Sequence, residues 1–190
     1  MFHNIIIALL VLSTSVAHAT WELDLEQSTL SFVSTKKAAI GEIGTFTSYK
    51  GTISDEGSVQ LQIDLNSVNT NIAIRDDRLN NFLFQTDKHP TATLTGNINL
   101  DTAKELKLGQ SSHQTVELEL NLHGVSTKIK SEVNVIATET GYLVYNIKPV
   151  LLNANNFNLG EGINKLKELA KLDSISLAIP VNFNFHFVEK

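Results

Sequence analysis

Residues 116–135 read VELELNLHGVSTKIKSEVNV, and this stretch decides the fold. Val116, Leu118, Leu120 and Leu122 alternate with Glu117, Glu119 and Asn121. Beyond His123-Gly124 the theme resumes, with Ile129, Val133 and Val135 set against Lys128, Lys130, Glu132 and Asn134. A period of two is the period of a strand. Strict alternation gives each strand one wet and one dry face, as in antiparallel sheets; buried parallel strands read as unbroken apolar runs. Two such runs joined at His123-Gly124 form a hairpin, and Gly124 is expected to take the positive φ of its turn.

The same period extends in both directions. Leu30 and Phe32 flank Ser31; Val59, Leu61, Ile63 and Leu65 alternate with Gln60, Gln62 and Asp64; Ala92, Leu94, Ile98 and Leu100 lie among threonines and asparagines. The final stretch carries Ile175, Leu177, Ile179, Val181, Phe183, Phe185 and Phe187 on one face. These runs are long for strands, and long antiparallel strands with one apolar face suit a closed barrel, which also removes exposed edges. Asp55-Glu56-Gly57 and Thr140-Gly141 read as further short turns. Two segments break the alternation. Ile74 to Lys88 reads as a short helix with Leu79, Phe82 and Leu83 on one side, stopped at His89-Pro90 because the residue before proline disfavours the α region. Residues 161–172 read as a second helix, with Ile163, Leu166, Leu169, Ala170 and Leu172 on one side and Glu161 facing Lys165.

A chain of 190 residues, 42% apolar and 18% charged, can build a core and is expected to form one domain. Its net charge of −5 argues against nucleic acid or an anionic membrane as partner. Lys36-Lys37 and the spaced Lys165, Lys167 and Lys171 read as solvated faces. With no cysteine, disulfides and thiolate chemistry are excluded. Ile5 to Val16 is an apolar run too short to span a bilayer, and Ala17-His18-Ala19 resembles a leader-cleavage site. Only His3 stands where a leader ordinarily carries Lys or Arg. The expectation is a signal peptide over 1–19, a barrel domain over 20–190 without stable membrane insertion, and a periplasmic or secreted location.

Chemistry is sparse. No phosphate loop, nucleophile elbow, zinc helix or dinucleotide fingerprint is present. His89, His113, His123 and His186 stand at no metal-ligand spacing, so neither metal nor cofactor nor catalytic residue is expected. Arg75, Asp76, Asp77 and Arg78 form the densest polar group. They read first as capping a helix and tying it to a barrel rim, and second as holding a ligand's polar head. His123 is expected to be hydrogen-bonded beside its turn, and His89 to serve the helix stop. Phe32, Phe46, Phe82, Phe84, Phe157, Phe183 and Phe185 either fill a core or line a cavity, and periodicity alone leaves both open.

Six blocks in order carry a resemblance. They are STLSFVS at 28–34, IDLNSVNTNIAIRDDRLNNFLF at 63–84, HPTATL at 89–94, LNLHGVSTKI at 120–129, KPVLLNANNFNL at 148–159 and SISLAIPVNFNFHF at 174–187. Together they resemble the YceI-like family of secreted polyisoprenoid-binding proteins, over essentially all of residues 20–190. The resemblance implies an all-β, lipocalin-like barrel of eight antiparallel strands with two short helices as covers. Its lumen would hold an apolar small molecule, an isoprenoid lipid or quinone. On that reading Phe32, Phe46, Ile63, Phe82, Phe84, Leu94, Leu120, Phe157, Phe183 and Phe185 touch the ligand. The chain departs from the family's H-T-x-V-x-F pattern, with Ser28-Thr29-Leu30-Ser31-Phe32 in that place, which marks a sub-branch. Two rivals remain: a lipid-acting enzyme using Asp76, Asp77, His89 or His123 as acid–base groups, and a ligand-free interaction module with a filled barrel.

Overall fold

A computed structural model describes residues 20–190; the expected leader lies outside the described residues. In chain order the strands are β1 (Thr20–Lys36), β2 (Ile40–Phe46), β3 (Tyr49–Ser54), β4 (Ser58–Asp64), β5 (Val68–Asn69), β6 (Thr91–Asn97), β7 (Ser111–Leu122), β8 (Val125–Ala137), β9 (Gly141–Asn146), β10 (Val150–Asn153) and β11 (Ala178–Glu189). Every pairing is antiparallel. The ring runs β1-β3-β4-β6-β7-β8-β9-β11 and closes from β11 back to β1, giving an eight-stranded barrel.

The remaining three strands extend one end of it. β1 pairs with β3 at Thr20–Glu22 and with β2 at Ser31–Lys36. β2 and β3 are therefore two halves of one wall, broken at Thr47-Ser48. Ser67 fills the break, its hydroxyl accepting from the Thr47 and Ser48 N–H groups at 3.2 and 3.0 Å. β9 and β10 repeat the arrangement along β11, broken at 147–149. There Asn146 Nδ2 donates to the Lys148 carbonyl at 2.8 Å while its Oδ1 accepts from Phe183 N–H at 2.8 Å. Backbone groups freed by a break need such partners when they are shielded from water.

β1 also carries a bulge. Asp24 pairs with His186 and Thr29 with Asn184, so residues 25–28 of β1 stand opposite Phe185 alone. Asp24 Oδ1 accepts from Glu26 N–H at 3.0 Å, and buried Ser28 accepts from His186 N–H at 2.9 Å, pinning both sides of the excursion.

The 116–135 hairpin forms as expected. Leu122 pairs with Val125, and both turn residues have positive φ, +53° at His123 and +77° at Gly124. The helices differ from expectation. The first is an α-turn, α1 (Ala73–Arg78), continued by a π-helical turn at Leu79–Phe84 and ended by left-handed Gln85, four residues before His89. A short α2 (Asp101–Lys104) was not foreseen, and α3 (Gly160–Leu169) ends earlier than the 161–172 reading. Lys165 pairs with Glu168 at 3.0 Å, not with Glu161. No described helix is long and apolar enough to cross a membrane.

Trp21, Tyr142 and α2 lie at the barrel end where β1 begins. Trp21 and Tyr142 meet edge to face with ring centroids 5.7 Å apart, and Ala103 of α2 is buried against Val133 and Val135. The 65–85 segment and α3 sit at the opposite end, above a second cluster built on Leu65, Phe84 and Phe157.

Candidate functional site

Between those two ends lies a cavity of about 570 Å³, within the usual range of roughly 300–1,000 Å³ for small-molecule sites. Its wall is the inward face of the alternating strands. Leu61, Leu94, Leu118, Leu120, Val133 and Val144 come from five consecutive ring strands. Two groups of aromatics add to them. Phe32, Phe46 and Phe84 form a chain with centroids 5.6 and 5.9 Å apart. Phe183 stacks on Phe185 at 4.9 Å, and Phe185 meets Tyr49 at 5.7 Å.

Nine of the ten candidate ligand residues stand on this wall: Phe32, Phe46, Ile63, Phe84, Leu94, Leu120, Phe157, Phe183 and Phe185. Phe82 does not. Its side chain is 39% exposed, because the helix expected to present it inward winds into a π-turn and carries it out. The part of that segment pressed against α3 is backbone: an added Cβ on Gly162 would come within 2.6 Å of the Phe82 carbonyl oxygen. Leu79 and Leu83 take the lining position instead.

One end of the cavity is polar and partly open. Ile43, Ile72 and Ile74 line it while exposed to solvent, Ile43 at 67%, whereas Ala103 closes the other end at 4% exposure. At the open end Glu42 Oε1 accepts from Lys36 at 2.6 Å and Glu42 Oε2 pairs with Arg75 at 2.9 Å. Lys36 foremost, and Arg75 with it, hold the Glu42 carboxyl below the usual range, outweighing its partial burial. Lys36 is thus part of the cavity mouth and not of a solvated face. It follows Leu30, Phe32 and Ser34 in the inward alternation of β1, a signal the sequence contains.

The 75–78 group divides its labour. Arg75 ties α1 to β2 through Glu42. Asp76 caps no helix N–H; it accepts from Thr70 N–H and the Thr70 hydroxyl at 2.9 and 2.6 Å, bracing the loop before the helix. Arg78 lines the cavity, and Asp77 is exposed outside it.

His89 and His123 also lie off the cavity wall, with ring centroids 4.3 Å apart. Burial, and after it the neighbouring His89, depress the His123 imidazole below the ordinary histidine range. The nearby Phe157 backbone pulls the other way, yet neither ring nitrogen closes a well-formed hydrogen bond. The expected hydrogen bond of His123 is therefore missing among the described residues. None of Asp76, Asp77, His89 and His123 reaches the cavity, so they do not converge with a molecule held in it.

The YceI-like domain model matches residues 21–187. A search among curated proteins gives no significant match. A solved polyisoprenoid binding domain from Saccharophagus degradans, implicated in plant cell wall breakdown, is 37% identical, with 90% of this chain and 98% of that one covered and a TM-score of 0.87. BcnA from Burkholderia cenocepacia shares the fold at 19% identity and a TM-score of 0.67, over 86% of this chain and 98% of that one.

Proposed function

This chain belongs to the YceI-like family, and from that premise we propose that it is a binding or carrier protein, not an enzyme, for an isoprenoid lipid or quinone held in the barrel. The observation that carries the reading is the apolar cavity of about 570 Å³ with one open, polar end. A hydrocarbon needs no more chemistry than that. Each buried methylene contributes about 0.8 kcal/mol, so a tail of about 20 carbons offsets the several kcal/mol that association costs. The Saccharophagus degradans domain, described as polyisoprenoid-binding, supports the choice of tail. The Ala17-His18-Ala19 signal supports a periplasmic or secreted carrier beginning at Thr20.

Native mass spectrometry of protein purified from its own host tests both parts. The expected spectrum shows a chain starting at Thr20 with a prenyl-mass adduct that leaves on denaturation. An empty barrel that also ignores added prenyl lipids would end the carrier reading, and an intact Met1 on the working protein would end the export reading.

A further inference from the structure

His89 and His123 are titratable groups that an apolar cavity has no use for, yet the fold brings them together. Their rings lie 4.3 Å apart, His89 where the chain enters β6 and His123 in the turn between β7 and β8. Both His123 nitrogens are shut off from water without a well-formed hydrogen bond. The surrounding charge is one-sided. The turn segment 121–127 holds no other titratable side chain, and neither does 154–159, whose Phe157 backbone lies beside His123. On the 85–90 segment Lys88 opposes a proton on His123, and the exposed carboxylate of Asp87 is not among the groups that act on it. A proton on His123 is thus resisted by dry surroundings, a second ring and a lysine, with no anion to receive it.

What the pair joins is the cavity wall. His89 follows the π-turn, whose Leu79, Leu83 and Phe84 line the cavity, by way of left-handed Gln85. Phe157, beside His123, lines the same cavity at 1% exposure. Phe84 and Phe157 share one buried cluster with Leu120 and Leu122. The closed arrangement resists the proton, and an arrangement with His123 in water does not. Closure is therefore favoured above the ordinary histidine range and loses ground as pH falls through it. We propose that His89 and His123 form an acid-released latch between the 85–90 segment and the β7–β8 turn. On protonation the rings separate, the packing of Phe84 and Phe157 loosens, and an apolar occupant is let go. The proposal rests on the carrier reading and adds the condition under which the cargo leaves.

Geranylgeraniol does not titrate, so calorimetric titration of the chain from Thr20 onward with this alcohol at two pH values isolates the protein's response. Affinity is expected to be at least about fivefold weaker at about pH 5.5 than at about pH 7.5, the low end of ordinary coupling between sites. In His123→Asn, which keeps His113 and His186 in place, the two affinities should agree within about twofold. Equal affinities in the unaltered protein, or a ratio that His123→Asn leaves in place, would overturn the latch while the carrier reading stands. Loss of the whole fold in the acid sample, read from the fluorescence of Trp21 at the far end of the barrel, would overturn it too. Binding at neither pH would overturn the carrier reading and the latch with it. Should His123→Asn fail to fold, amide exchange in the unaltered protein decides, corrected for its intrinsic pH dependence. Acid should quicken it at 85–89 and 154–158 beyond the other segments, and an even response would overturn the latch.

Discussion

Gly124 and His123 are adjacent, and each makes its own demand on the turn between β7 and β8. Gly124 has φ +77°, and a Cβ there would also stand 3.3 Å from His89 Cε1. Gly124→Ala is expected to lower stability by about 1 kcal/mol or more, read as a shift in denaturant midpoint; an unmoved midpoint would mean that the turn relaxes freely. His123 acts through its proton. Its folded pKa is depressed below the ordinary histidine range by burial, so at higher pH the imidazole is neutral in both states and stability is undiminished. As pH falls through that range the unfolded chain gains a proton that the folded chain resists, and stability declines until the folded pKa is also passed. Urea midpoints at about pH 7.5 and about pH 5.5 should therefore differ less in His123→Asn, which tolerates positive φ, than in the parent. Identical drops in both proteins would place the acid sensitivity elsewhere. Position 124 was legible in the sequence because only glycine chemistry explains it. The burial of the His123 ring with neither nitrogen hydrogen-bonded was not, since its neighbours His89 and Phe157 come from distant segments.

Strands were more legible than helices, and for a physical reason. Alternation marks a face that one sheet must bury, and 59–64, 92–97, 116–122 and 125–135 became barrel strands, while Leu65 and residues 98–100 of the expected runs fall just past their strand ends. The breaks at Thr47-Ser48 and 147–149 depend on single polar side chains, Ser67 from a separate segment and Asn146 from the end of β9 itself, and no local period announces them. The first helix departs in shape from the sequence expectation: it winds as a π-turn over Leu79–Phe84, and the backbone of Phe82 and Leu83 packs closely against Gly162 of α3. That packing can be tested. An alanine at Gly162 would bring its Cβ to 2.6 Å from the Phe82 carbonyl oxygen and 2.9 Å from Leu83 Cα, and backbone cannot yield as a side chain does. Gly162→Ala should cost about 1–3 kcal/mol and quicken amide exchange in α3. Release of a bound tail should quicken with it. Unchanged exchange across 160–169 would show that the two segments part without penalty.

A hollow barrel and a packed one differ in how they answer a lost ring. Phe183 is half-buried on the cavity wall and stacks on Phe185. In a filled core Phe183→Leu would open a void and cost a few kcal/mol. Beside an existing cavity it should change stability by less than about 1 kcal/mol while altering which prenyl lipid is captured or how tightly. Melting temperature measured beside lipid occupancy tests this; a large fall in the first with no lipid in either protein would speak for a packed core. Whether the lumen stays open is a property of the closed ring, which is why periodicity in single strands left it undecided. The ring also has a phase. The bulge gives β1 three residues more than β11, an odd number, and an odd insertion turns a strand over. Before it the odd positions Trp21 and Leu23 pack inward with Phe185 and Phe187; after it the even positions Leu30, Phe32, Ser34 and Lys36 line the lumen. β11 keeps its odd frame throughout, through Val181, Phe183, Phe185 and Phe187. β1 is thus read in two frames, and the frame change sets Phe32 on the wall and Lys36 against Glu42. Were β1 to run in a single frame, both would face water.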